Sequence, residues 1–486
     1  MDKELIFERS TDSGSPGYIA QSSVPLCEAK KVFAQRLLRE KLTLPNLGEL
    51  EVTRHYLNLA KVNFSVDTHF YPLGSCTMKY NPKINEYLSG LRGFTDIHPY
   101  QNPDAVQGAL ALIYELEKLL CEITGMKRFS FQASSGAHGE LTGMLMIRKF
   151  HTLRGKRKTK VIIPDSAHGT NPATASMCGY ETVVVESNAE GLVDIDKLKK
   201  VADGQVAAMM LTNPNTLGLF EENILEISEI IHKNGGLLYY DGANFNPLLG
   251  ITKPSLMGFD VVHLNLHKTF STPHGCGGPG AGAVGVADFL EDFLPLPVVN
   301  KKEDNFYLDY SLKNSIGKIR SFYGNFTVLV RAYAYILRLG REGLPRVAQN
   351  AILNANYVKE KLKNHYALAY TKDCMHEVVL SCEAQRQKGV SALDIAKRLI
   401  DFGIHPPTMY FPLIVKEALM IEPTETENKE TLDYFIETML AINQEIDKDP
   451  DRLKNAPHQA SVKRVDEVRA VRFPDLRWSP NADNRR

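Results

Sequence analysis

The sequence predicts an α/β protein: a large domain built on a mostly parallel sheet, followed by a smaller α+β C-terminal domain. Three observations carry that prediction. Apolar runs and helical stripes alternate regularly through the middle of the chain. The runs are almost continuously apolar, as strands covered on both faces are. After about residue 330 the texture changes to long helices with isolated strands.

Residues 1–65 read as an N-terminal arm or helical extension. Positions 11–25, rich in Ser, Gly and Pro, are expected to be loop. A charged helix is expected over Glu28–Leu42, with Val32, Phe33, Leu37 and Leu38 on one face. Residues 66–330 form the expected large domain. Its opening segment, Thr68–Asn81, sets Gly and Pro among small hydroxyls and aromatics, the composition of a loop that lines a site. A helix over Ala105–Thr124 places Leu112, Leu116, Leu119 and Leu120 on one stripe. Strands follow at Lys160–Pro164, Glu181–Glu186, Val206–Thr212, Gly236–Tyr240 and Asp260–Leu264, with helices at Asp196–Ala202 and Glu222–Asn234 between them. Residues 331–450 form the smaller domain. Its elements are helical Thr327–Leu339 and Gly343–Lys363, strand Glu377–Ser381, helix Ser391–Phe402, strand Ala418–Glu422 and helix Lys429–Ile446. Residues 451–486, with the only tryptophan, Trp478, read as a tail.

Composition narrows the function classes. The 486 residues include 57 basic and 57 acidic side chains, so no basic excess exists to coat nucleic acid or an anionic membrane. No run approaches the ~20 apolar residues of a membrane span, and the start lacks the pattern of a signal peptide. Seven scattered cysteines without a Cys-x-x-Cys pair fit reduced thiols, hence an enzyme of the cytoplasm with no disulfide framework or zinc site.

In such a sheet, sites form at the carboxyl ends of strands, and four polar clusters fall there. Residues 132–140 put small residues, Ser135, Gly136 and Ala137, at a helix start, where free N–H groups can receive a phosphate. Residues 165–172 carry His168, able to stack on a planar ligand. Residues 239–244 carry Asp241, an anion able to pair with a buried cation, and Asn244. Residues 264–280 carry His267 and Lys268 before a glycine-rich turn; a lysine so placed can form a Schiff base. Each cluster alone has an ordinary reading, as a helix cap, a structural histidine or a solvated lysine. Together and in this order they are what a pyridoxal phosphate enzyme needs. A metal site from His263, His267, His274 and Cys276 is disfavoured, because along one strand His263 and His267 would lie roughly 13 Å apart.

Four segments, Phe70–Lys79, Ser166–Ala173, Leu264–Phe270 and Pro273–Gly280, resemble the P-protein family of the glycine cleavage system, and the likeness extends over essentially the whole chain. At about half the length of the one-chain form, the sequence resembles the catalytic half of the two-subunit form. The resemblance implies a fold-type-I, pyridoxal-phosphate-dependent transferase-like large domain with a seven-stranded sheet. It further implies decarboxylation of glycine and transfer of the aminomethyl group to the lipoyl group of H-protein. Lys268 then holds the cofactor, Asp241 pairs with its ring nitrogen and His168 stacks on its ring. Ser135, Gly136 and Ala137 cradle its phosphate, His267 adds a donor and Asn244 reaches its phenolate oxygen. Tyr71, Leu73 and Ser75 are expected to narrow the glycine pocket. The partners implied are a companion subunit, in a two-plus-two assembly, and lipoylated H-protein. Cys276 departs from the glycine expected there. The alternatives are a cysteine desulfurase-like enzyme, with Cys374 as the nearest candidate nucleophile, and a carrier-independent amino-acid decarboxylase. A non-catalytic partner subunit, which would lack the lysine, is the third.

Overall fold

The computed structural model describes residues 4–10, 23–39, 44–274 and 280–478. The chain divides into two compact units, one of residues 1–64 with 457–486 and the other of residues 65–456. Within the first, the helix Glu49–Ala60 is the longest element, and Phe7 stacks on Trp478 with ring centroids 4.9 Å apart. Of the helix expected over 28–42, residues 28–39 form instead a four-residue turn of helix, Ala29–Val32, and a 3-10 turn, Gln35–Leu37, while residues 40–42 lie outside the described residues. Its intended apolar stripe is exposed at Val32, Phe33 and Leu37, so no burial offsets the cost of helix formation. The loop expected at 11–25 lies largely outside the described residues, as does Cys276.

The second unit holds two sheets and a hairpin. Seven strands make the large sheet: β1 (Arg128–Ser130), β2 (Lys160–Pro164), β3 (Glu181–Val185), β4 (Val206–Thr212), β5 (Leu237–Gly242), β6 (Val261–Asn265) and β7 (Gly282–Val286). Their order is β1-β7-β6-β5-β4-β2-β3, with β6 through β3 mutually parallel and β7 antiparallel to both β6 and β1. Successive residues alternate between two cores. Met209, Leu211, Leu238, Tyr240, Val262 and Leu264 pack on one face, while Met210, Leu237, Tyr239 and Val261 pack on the other. That double burial is why the runs are continuously apolar. The hairpin is β8 (Val298–Lys302) with β9 (Asn305–Asp309).

The helix Phe326–Leu362 breaks at Gly340, whose φ of 59° and ψ of −167° suit glycine alone. It leads into a second, antiparallel sheet of β10 (Ala367–Leu368), β11 (Val378–Ser381), β12 (Thr408–Met409) and β13 (Ala418–Ile421). Helices Ala392–Asp401 and Lys429–Lys448 cover it through Ile395, Leu399, Phe435, Met439 and Ile442. Leu453, placed by sequence in the tail, is buried in this same core.

Candidate active site

Strand register builds the site. Thr212 of β4 pairs with Asp241 of β5, and Asp241 with His263 of β6, so a polar row crosses the carboxyl ends of the parallel strands. It opens into a cavity of about 190 Å³. The helix Gly136–Leu153 presents Gly136 and Ala137 of its first turn to this cavity, and loops bring His168, His267, Lys268 and Ser75. Segments as far apart as residues 75 and 268 therefore share one wall.

Asp241 is buried and well provided with donors. Its Oδ2 accepts from Asn171 Nδ2 at 3.1 Å and its Oδ1 from the Ala243 N–H at 3.0 Å. His263 Nε2 lies 3.3 Å from Oδ1, and the Tyr239 hydroxyl meets His263 Nδ1 at 2.7 Å. Burial alone would raise the Asp241 pKa, yet His263, Asn171, Ala243 and Lys268 together hold it below the usual range. Burial keeps His263 neutral, so it serves Asp241 as an N–H dipole. Glu140 also takes an amide proton of Asn171, at 2.9 Å, and the Thr170 hydroxyl at 2.8 Å. Burial, then the charge of Asp241, pushes Glu140 up to about 7. The negative charge thus settles on Asp241, and Glu140 is the carboxyl that carries a proton.

Lys268 donates from Nζ to the Ser75 carbonyl at 2.8 Å. Around it the histidines are neutral: burial, then His274 and Lys268, lowers His267 to about 3, and burial, then Lys268, lowers His274 to about 4. His267 Nδ1 accepts from the Ala281 N–H at 3.3 Å, which leaves the ring proton on Nε2. His168 is exposed at the cavity, its Nδ1 within 2.9 Å of the Thr170 hydroxyl and its ring edge-on to Phe411.

At the helix start, the Ser135 hydroxyl caps the N–H of His138 at 3.2 Å. Backbone runs close beneath: a Cβ on Gly282 would stand 2.1 Å from the Ser135 carbonyl oxygen, and one on Gly136 2.6 Å from Asn265 Oδ1. Two polar atoms of the wall, Thr212 Oγ1 and Asn265 Oδ1, are buried with no hydrogen-bond partner among the described residues. A wall with orphaned polar atoms, an anion, a lysine and a helix N-terminus fits a phosphorylated, ring-bearing cofactor.

Six of the eight sequence-derived residues line this cavity: Gly136, Ala137, His168, Asp241, His267 and Lys268. Ser135 sits just behind, as the cap. Asn244 does not reach the wall. Its amide donates to the Pro214 and Asn215 carbonyls and to Glu377 Oε1, so it has no N–H left for a phenolate. Of the expected pocket residues only Ser75 is on the wall; Tyr71 stacks on His405 and Leu73 bridges to Ile421. Cys374 is 5% exposed and its thiol is pushed up to about 12 by burial, the opposite of an activated nucleophile. Glu140 and Asn171 stand inside the segments singled out in the sequence, and His263 enters there only as a disfavoured metal ligand; the sequence marks none of the three as a neighbour of Asp241.

Comparison with known proteins decides the family. Residues 28–307 match the glycine cleavage system P-protein family and residues 347–462 the C-terminal domain of glycine dehydrogenase. This chain belongs to the P-protein family. It is 57% identical over 477 residues, 98% of each chain, to a Caldanaerobacter subterraneus subsp. tengcongensis protein named "Probable glycine dehydrogenase (decarboxylating) subunit 2". It is 56% identical over 475 residues to a Thermotoga maritima protein of the same name, spanning 97% of this chain and 99% of that one. Among solved structures, a glycine decarboxylase (P-protein) in inhibitor-bound form matches with a TM-score of 0.73 at 20% identity, over 85% of this chain and 95% of that one. A cysteine desulfurase from Thermococcus onnurineus matches with a TM-score of 0.60 at 15% identity, over 79% and 98%. The P-protein family chain therefore has the fold-type-I architecture expected of it, and the desulfurase shares that fold.

Proposed function

We propose that this chain is the catalytic subunit of a two-subunit glycine dehydrogenase (decarboxylating). It releases the carboxylate of glycine as carbon dioxide and passes the aminomethyl group to the lipoyl group of H-protein. The observation that carries this reading is the convergence of Lys268, Asp241, His168 and the Gly136–Ala137 helix start on one cavity, in a chain of the P-protein family.

Pyridoxal 5′-phosphate, when bound, supplies an electron sink for the pair left behind by the departing carboxylate. The chain's residues do the rest. Lys268 would hold the cofactor's aldehyde carbon, and Asp241 would keep the ring nitrogen protonated from a site of low polarity. His168 would cover one ring face. The N–H groups at Gly136 and Ala137 would point at the phosphate, with the Ser135 cap fixing their direction and the Nε2 proton of His267 adding a donor. Loss of carboxylate rather than a proton is a matter of orientation, so the wall that seats glycine against Lys268 is the chain's main contribution. Ser75 belongs to that wall. A companion subunit, in a two-plus-two assembly, and lipoylated H-protein complete the reaction in the cytoplasm. Among the described residues no helix is long and apolar enough to cross a membrane.

The test is exchange of labelled bicarbonate into glycine, run with the purified chain alone, with its companion subunit, and with or without lipoylated carrier. Exchange that requires both partners supports the reading. Carrier-independent carbon dioxide release, or sulfur transfer from cysteine, would replace it.

A further inference from the structure

Two fully buried glutamates face each other across the small sheet. Glu377 precedes β11 and Glu422 follows β13, and the Val378–Ile421 pairing brings them directly opposite. Like charges so placed disfavour the pairing, and burial sharpens the cost. Sheet formation gains nothing from them.

Their carboxylates are spent on the turn that meets Lys268. Glu377 Oε2 accepts the Ser75 N–H at 2.9 Å, and Glu422 Oε2 accepts the Thr77 N–H at 2.9 Å. Glu422 Oε1 takes the Thr77 hydroxyl at 2.5 Å, and Glu377 Oε1 takes Asn244 Nδ2 at 3.2 Å. All four oxygens are therefore occupied by donors, which makes the group a clamp rather than a metal cradle, although His376 Nε2 stands 3.8 Å from Glu422. The two N–H groups taken belong to residues with left-handed backbones, Ser75 at φ 60° and Thr77 at φ 50°. Side-chain-bearing residues rarely adopt that conformation, so something must hold them there. Upstream, Gly74 lies against Met420 so closely that a Cβ would stand 2.2 Å from its Cγ, and the Gly74 carbonyl takes the Thr408 hydroxyl at 2.8 Å. The Ser75 carbonyl, at the head of this turn, is the acceptor for Lys268 Nζ.

We propose that Glu377 and Glu422 are positioning residues for Lys268, clamping the left-handed Ser75–Thr77 turn so that its carbonyl seats the lysine amine at the cavity. The inference rests on the reading of Lys268 as the cofactor lysine. Burial pushes Glu422 up to about 7, and burial with the facing Glu422 pushes Glu377 well above the usual range. The pair thus keeps a proton near neutrality and tolerates its own proximity, beside Lys268, Cys76, His376 and Glu425.

The experiment follows pyridoxal 5′-phosphate uptake by the full chain, stripped of cofactor, through growth of its visible absorbance. Glu377→Ala and Glu422→Ala are expected to slow uptake about tenfold or more, the loss of one or two hydrogen bonds to a buried acceptor. Glu377→Gln and Glu422→Gln keep an acceptor for the turn and are expected to return to within about threefold of wild type. Alanine variants at the wild-type rate, or glutamine variants no faster than alanine, overturn the clamp. Where an alanine variant does not fold, Thr77→Val takes its place: it keeps the side-chain shape, deletes one bond, and is expected to slow uptake about threefold. An unchanged rate there overturns the clamp equally. A wild-type chain that develops no visible band removes the Lys268 reading and the clamp with it. A wild-type band matched by every glutamate variant removes the clamp alone.

Discussion

Asp241 and Glu140 share one donor: the side-chain amide of Asn171 lies 3.1 Å from the first carboxylate and 2.9 Å from the second. Two buried carboxyls around one amide cannot both ionise cheaply, and the arrangement decides which does. Asp241 has the neighbouring His263 and the Ala243 N–H besides, so it takes the charge.

Asp241→Asn keeps the shape and removes that charge. Glycine decarboxylation is expected to fall by at least about a hundredfold, while cofactor retention changes far less. Turnover is compared with bound cofactor per chain; near-normal turnover would remove the ring-nitrogen role.

Lys268→Ala is expected to stay folded by circular dichroism, because the side chain's one described hydrogen bond is to the Ser75 carbonyl. The visible absorbance of bound cofactor should be absent and glycine exchange undetectable. An unchanged spectrum would move the cofactor lysine elsewhere.

Glu140 makes a pH prediction with a definite sign. A folded carboxyl at about 7 keeps a proton that the unfolded chain loses near 4.5, so the folded state binds more protons between those values and stability falls as pH rises through that window. Glu422, also pushed up to about 7 by burial, adds to the same slope. Glu140→Gln should flatten the decline by on the order of 2–3 kcal/mol between pH 5 and 7.5, measured by urea unfolding of the cofactor-free chain. A slope equal to that of wild type would place the proton elsewhere.

Lys79 is a buried cation of the second unit's interior, bonded to Glu425 at 2.8 Å, Asn246 at 2.9 Å and the Tyr335 hydroxyl at 3.1 Å. Lys79→Met leaves Glu425 without its counter-charge and is expected to cost about 3–5 kcal/mol in denaturant unfolding. Adding Glu425→Gln should recover part of that loss; a double variant as unstable as the sum of the singles would deny the pairing.

Gly282→Ala drives a methyl group into the Ser135 carbonyl. About 1–3 kcal/mol of stability should be lost. Cofactor should dissociate faster as the helix start is pushed off the phosphate position. Unaltered cofactor dissociation would detach the Ser135 cap from the phosphate role.

How much of this was legible in the sequence depends on the range of the signal. β2, β4, β5 and β6 were readable because burial on both faces leaves them no polar side, and the residues following three of them were readable as the site. β1 is three residues long and β7 begins among glycines, so neither shows a strand's pattern even though together they close the sheet. The stripe over 28–42 had helical spacing without a surface to cover it. Asn244 sits at the right place in the chain, but its amide is claimed by carbonyls of the loop after β4. Glu377 and Glu422 touch residues some 300 positions earlier, a distance over which spacing carries no information.

The stitching of residues 72–77 onto β13 also ties an early stretch of the chain to a late one. Every residue at the sheet ends precedes residue 300 in the chain, yet the turn whose carbonyl meets the lysine's amine is also held by residue 422. A chain truncated before β13 would hold the sheet-end residues of the cavity without that contact on the turn.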